Sequence, residues 1–199
     1  MHALKHWTWL LAIALLPLLA PSPASAIATT NGAPGAVQRE ADEDALDRQT
    51  ISREIERFRT CAISIRQAMT IAEALHPGST TADVAFDGAA ASPVYRVKTL
   101  HNDRIWQQVV DATTGEIVGG GAALPLTQLD ADDRDNLAAL RAVRHRLADA
   151  VRVAEHAASG KAISGGLVRE RGRLNFSIIV VSGNDLKEVI LQPPGGRGR

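Results

Sequence analysis

The sequence predicts an α+β protein built as two tandem modules, each a helix packed on a three- or four-stranded antiparallel sheet. Three observations predict it. A helical apolar stripe is followed by several short alternating segments, the same order then occurs again, and residues of the two halves align at a nearly constant spacing.

Residues 1–26 read as a signal peptide. Lys5 and His6 give a basic start, Trp7 to Ala20 is apolar, and Pro21 to Ala26 ends in the small-x-small run Ala24-Ser25-Ala26. The apolar part contains Pro17 and is too short to span a bilayer. Cleavage after Ala26 and a periplasmic or secreted mature chain are the expectation. A lipid anchor is not expected, because the only cysteine, Cys61, lies far from the apolar core. Cys61 cannot form an internal disulfide and is read as buried or paired with another chain. The chain has 22 basic and 22 acidic side chains, and cleavage removes only Lys5. Near-neutral charge leaves no electrostatic footprint for nucleic acid.

Residues 27–41 read as a flexible arm, because Thr-Thr-Asn-Gly-Ala-Pro-Gly carries turn formers and no apolar period. The first module, residues 42–119, opens with Asp42 to Asp44 as a helix start. Ile51, Ile55, Phe58, Ala62, Ile65, Met69 and Ala72 then form one helical face. Ser64 and Gln67 have capping-box spacing, so a fresh helix starts at Ser64, and Pro77-Gly78 ends it. Thr80 to Phe86, Val94 to Leu100 and Arg104 to Ala112 read as strands, punctuated by Gly88 to Pro93, His101-Asn102-Asp103 and Thr113-Thr114-Gly115.

Gly119-Gly120-Gly121 reads as the start of a linker, residues 120–129. The second module, residues 130–193, repeats the order. Asp130 to Asp135 is an acidic helix start, and Leu137, Leu140, Val143, Leu147, Val151 and Ala154 carry the stripe to Gly160. Strands are expected at Ile163–Val168, Leu174–Val181 and Leu186–Leu191, followed by a disordered tail, residues 194–199. Ala68, Ile71, Ala72, Glu73 and Gly78 align with Ala150, Val153, Ala154, Glu155 and Gly160. After a one-residue shift, Tyr95, Val97, Ile105, Val109 and Gly115 align with Phe176, Ile178, Leu186, Ile190 and Gly196. The run Ile178-Ile179-Val180-Val181 is apolar on both faces. The two sheets or their helices are therefore expected to pack together.

The run from Ile63 to Ala72, with an apolar-Ser start and alanines four apart, resembles the helix of the PepSY family. Tyr95-Arg96-Val97 is similar to that family's tyrosine-centred strand. Val110-Asp111-Ala112-Thr113-Thr114-Gly115 resembles its Val-Asp-x-x-Thr-Gly motif. The resemblance covers about residues 62–119, and the second module looks like a degenerate copy in which Gln192-Pro193-Pro194-Gly195-Gly196 replaces the motif. It implies a helix on an antiparallel sheet and a non-catalytic role in regulating a peptidase or a sensor protein at the cell envelope. The motif residues read as structural, with Asp111 accepting backbone N–H groups in a turn.

No catalytic, cofactor or metal site is visible in the sequence. Glu73-x-x-His76 has the spacing of one half of a di-iron pair, but Ala158 stands where the repeat needs its histidine. His101 sits in a turn, His145 lies between Arg144 and Arg146, and His156 follows Arg152 by four. Ser164 lacks the nucleophile-elbow glycines, and Gly160-Lys161 lacks the rest of a phosphate loop. With Ile105 and Val109 taken to face the helix, Trp106, Gln108 and Val110 form an open face and a candidate partner contact. The competing reading is that the first helix or the other module covers Trp106. A small-ligand or metal sensor with its site between the modules is the alternative function.

Overall fold

The structure, a computed structural model, describes residues 48–142, 146–170 and 172–193. The signal peptide, the whole arm, the helix start at Asp42 to Asp44, Val143, His145 and the tail fall outside the described residues.

Ser64 starts α2, Ile65–Ala74, through the expected capping box: its side chain accepts from Gln67 N, and Gln67 Oε1 accepts from Ser64 N at 2.8 Å. Ile65, Ala68, Met69 and Ala72 form the buried face. The preceding helix α1, residues 48–59, packs Phe58 edge-on against Phe86. After Gly78, whose φ of 88° favours glycine, the chain runs through β1, Thr80–Asp87, β2, Val94–His101, and β3, Arg104–Asp111. Asn102 and Asp103, both with positive φ, make the two-residue turn between β2 and β3.

The linker expected at residues 120–129 is largely a strand: β4, Ile117–Pro125, pairs antiparallel with β3 through the glycine triplet. The ladder shifts twice, once between Gln107 and Gln108 and once between Val109 and Val110, so that Val118 and Gly121 have no β3 partner. Glycine tolerates such bulges, with Gly120 and Gly121 at φ 102° and 90°. The second helical stripe is also divided, into α3, Ala131–Ala142, and α4, Leu147–Ala158. Asp130 caps α3 by accepting from Asp133 N at 2.8 Å. The strands β5, Lys161–Glu170, β6, Arg173–Ser182, and β7, Asp185–Leu191, follow.

All seven strands form one antiparallel sheet in the order β4-β3-β2-β1-β5-β6-β7. The halves therefore join edge to edge through β1 and β5, with Asp83 opposite Gly166, Val84 opposite Gly165 and Ala85 opposite Ser164. Pairing these strands removes two open edges without stacking one sheet on the other. The helix α2 packs on β1 to β3, α4 packs on β5 to β7, and the two helices touch. The core lies between these helices and the sheet, with Tyr95, Val97, Val110, Val151, Phe176 and Ile178 at 2% exposure or less.

The two halves share several contacts. Glu73 accepts from Thr81 N at 2.9 Å, and Glu155 accepts from Ala162 N at 3.1 Å. A bulge follows each, between Thr81 and Asp83 and between Ala162 and Ser164. Each glutamate also pairs with an arginine of the other half, Arg146 with Glu73 at 3.5 Å and Arg66 with Glu155 at 3.8 Å. Both arginines are half exposed or more, so each pair contributes under about 1 kcal/mol. Strand pairing and apolar burial hold the seam.

Candidate functional site

The motif at the end of β3 is a clamp on the helix. Asp111 Oδ1 accepts from Thr113 N at 2.7 Å and from Thr114 N at 2.8 Å. These backbone donors hold its carboxyl below the usual carboxylate range. Gly115 N donates to Asp111 O at 2.9 Å, and a Cβ on Gly115 would press on Ile71 and Ile63 at 3.2 and 3.3 Å. Next to this turn, Ile63 N donates to Ala112 O at 3.0 Å, while Tyr95 Oη donates to Ile63 O at 2.8 Å. The residue before Ser64 is thus pinned from both sides, and the helix start is tied to β2 and β3. Burial pushes the Tyr95 phenol well up, so it stays a donor.

Two predictions follow from this clamp. Tyr95→Phe keeps the packing of the ring against Phe86 but leaves the Ile63 carbonyl without that donor. A loss of about 1–2 kcal/mol is expected in urea unfolding. Asp111 has a depressed folded pKa, so its contribution is present above the unfolded value near ~3.9 and is lost as pH falls through the folded value. Asp111→Asn should therefore be less stable than the parent at pH 7, and the two melting curves should converge on acidification.

Trp106, Gln108 and Val110 do not form an open face. In the β2–β3 register they lie opposite Thr99, Val97 and Tyr95, the row that faces α2. Val110 is 0% and Gln108 2% exposed. Trp106 lies against the His76 ring at a centroid distance of 4.0 Å, and His101 stacks on His76 at 5.8 Å. Ile105, Gln107 and Val109 lie on the other face of the sheet, where Ile105 is itself buried. The first module's own helix end covers Trp106, and a partner cannot reach these three residues without displacing it. The reason lies in the turn: a two-residue hairpin fixes which strand positions face each other.

The other chemistry-bearing residues are committed to structure. Glu73 Oε1 takes Thr81 N and Thr81 Oγ1, at 2.9 and 2.8 Å, while His76 stacks on Trp106, so Glu73 and His76 do not converge. Cys61 is half-buried, its Sγ 3.2 Å from Arg57 O, and burial raises its thiol pKa. Ser164 lies on β5 opposite Ala85. Among the described residues no group of three or more His, Cys, Asp or Glu could hold a metal ion. The seam between the halves, where a ligand site between modules would lie, holds the β1–β5 ladder and the two Arg–Glu pairs.

The face of β2 and β3 away from α2 carries part-exposed side chains. Arg96 forms a bidentate contact to Asp87 Oδ2 at 2.7 and 3.1 Å, Lys98 lies 3.9 Å from Asp83, and Gln107 and Val109 stand beside them on β3. On β6, Ser177 donates to Glu188 of β7 at 2.6 Å. This is a mixed, half-exposed surface of paired charges between short apolar side chains. Sequence reasoning missed it because the face of β3 was assigned the wrong way round.

Residues 62–120 match the PepSY family, described as the peptidase propeptide and YPEB domain. That domain is generally associated with peptidase propeptides or regulatory binding and is typically extracellular or periplasmic. Among solved structures, a crystal structure of a "putative lipoprotein" from Clostridium difficile 630 is similar at 14% identity, covering 67% of this chain and 88% of that one with a TM-score of 0.39. No curated protein matches. No helix among the described residues is long and apolar enough to cross a membrane.

Proposed function

We propose that this chain is an exported, non-catalytic regulator that binds a peptidase or the outer domain of a sensor protein at the cell envelope. The match of residues 62–120 to a peptidase-propeptide domain carries the reading. The geometry supports it, because the motif residues Tyr95, Asp111 and Gly115 are consumed in tying helix to sheet. Residues 1–26 serve as the export signal, cleaved after Ala26. The second half is a degenerate copy of the first, as the paired bulges and the two strand-capping glutamates suggest. The partner surface is the face of β2 and β3 away from α2, around Arg96, Gln107 and Val109, in place of the covered Trp106 row.

Residues 27–199 immobilised as bait in an envelope extract test this. The expected result is one retained peptidase or sensor protein, lost with Val109→Glu, and with its activity altered by the purified chain. Retention of no such partner, or retention unaffected by substitutions across that face, would count against the reading.

A further inference from the structure

One buried position differs in kind between the halves. On their alignment, Asn175 of β6 stands where the first half has Val94, one residue before the matched pair Tyr95 and Phe176. Both positions are buried, Val94 at 6% and Asn175 at 8% exposure. Ile178 lies opposite Gly165, on the side of Leu147 and Val151 of α4. Asn175, three residues away on the strand, faces the other side of the sheet. There it lines an open groove of about 910 Å³ together with Glu170, Arg173, Ile190 and Gln192.

Strand register explains the grouping. Glu170 and Arg173 are directly opposed at the β5–β6 hairpin, and Asn175 is two residues along from Arg173 on the same face. Gln192 follows the Phe176–Leu191 pair by one residue and so lies beside Asn175. Among the described residues, none of the four polar side chains has a hydrogen bond or ion pair. The contrast with the first half is direct, since Asp111, the counterpart of Gln192, spends its carboxylate on Thr113 N and Thr114 N. A buried carboxamide without a partner is worse for stability than the valine of the first half.

We propose that this groove binds a short peptide with both ends free, of two or three residues. The lining set is amphoteric. Glu170 accepts from an ammonium group, and Arg173 donates to a carboxylate. Opposed strand residues have Cβ atoms ~5 Å apart, and both side chains are long. Their heads therefore bracket a ligand of about 7–10 Å, which is two or three residues at ~3.5 Å each. Asn175 and Gln192 each carry a donor and an acceptor, the complement of the peptide N–H and C=O between those ends. Ile190, 41% exposed, offers an apolar contact to one side chain of the peptide. A phosphate ligand is disfavoured, because Glu170 stands directly beside the arginine. The groove belongs to β5, β6 and β7, and the inference does not rest on the regulatory reading above.

The test is a titration of isotope-labelled residues 27–199, which contain the whole described sheet and its core, with the dipeptide alanyl-leucine. Amide chemical shifts are followed from about 10 μM to about 10 mM ligand. Saturable shifts are expected at Glu170, Arg173, Asn175, Ile190 and Gln192. The N-acetylated dipeptide and the C-terminal amide should each bind about tenfold more weakly or worse, because each has lost one charged end. Arg173→Gln should weaken binding and remove the discrimination against the C-terminal amide. Asn175→Val should bind about tenfold more weakly while its urea midpoint equals or exceeds that of the parent, which separates loss of the site from loss of the fold. No saturable shift at about 10 mM, shifts centred elsewhere, equal binding of the blocked dipeptides, or full binding by Asn175→Val overturns the proposal.

Discussion

Phe176→Ala is expected to destabilise the folded unit by about 3–5 kcal/mol, the cost of emptying a fully buried aromatic site. Phe176 is 2% exposed, lies on β6 between Leu167 of β5 and Leu191 of β7, and belongs to the same apolar core as Tyr95 and Val97. The loss should be felt in the other half. Trp106 is the only tryptophan in residues 27–199 and sits on β3, on the far side of the β1–β5 seam. Because the sheet is continuous, its fluorescence in urea should report the same lowered midpoint as the far-ultraviolet circular dichroism. A Trp106 transition that keeps the parent midpoint while the circular dichroism splits into two steps would show two independent modules.

Gly160→Ala is expected to cost about 3 kcal/mol, at the upper end of overpacking penalties. Gly160 follows the left-handed Ser159 that closes α4, and its N–H donates to Glu155 O at 3.0 Å. A Cβ there would lie 2.2 Å from the Val181 carbonyl oxygen and 2.7 Å from Val180 Cγ1. The carbonyl belongs to a paired strand, so it cannot yield without opening the β5–β6 ladder. Gly172→Ala is the control. It has a positive φ of 76° but nothing within 4 Å, so only backbone strain of about 1–2 kcal/mol applies. Urea midpoints that fall equally in the two variants would remove the packing argument.

Much of the fold is legible locally. The Ser64–Gln67 capping box, the alternation along β2, and the recurrence of Glu73 as Glu155 each correspond to a contact in the structure. What was not legible depends on partners distant in sequence. Gly119-Gly120-Gly121 has the composition of a linker and becomes a strand only because β3 supplies the ladder. The joint between β1 and β5 leaves no local mark. The alternation of a strand tells which side chains share a face, not which strand lies beside it. The apolar run Ile178 to Val181 signalled packing between the halves, and they do pack, but by strand pairing and helix contact.

Of the two readings of the Trp106 row, the covered one holds and the open face does not. Its orientation was available from the chain, since Asn102-Asp103 is a two-residue turn and a tight turn fixes the register. Counting back from it places Trp106 opposite Thr99, on the face of Tyr95 and Val97. The role of Asp111, in contrast, was correctly readable as structural, because an aspartate before Thr-Thr-Gly has backbone donors within reach.

The central claim is that two similar halves form one body through the β1–β5 seam. Nuclear Overhauser contacts in isotope-labelled residues 27–199 test it most directly. The account predicts cross-strand contacts linking Asp83, Val84 and Ala85 to Gly166, Gly165 and Ser164. Strong contacts within β1–β2 and β5–β6, with none between residues 83–85 and 164–166, would contradict it.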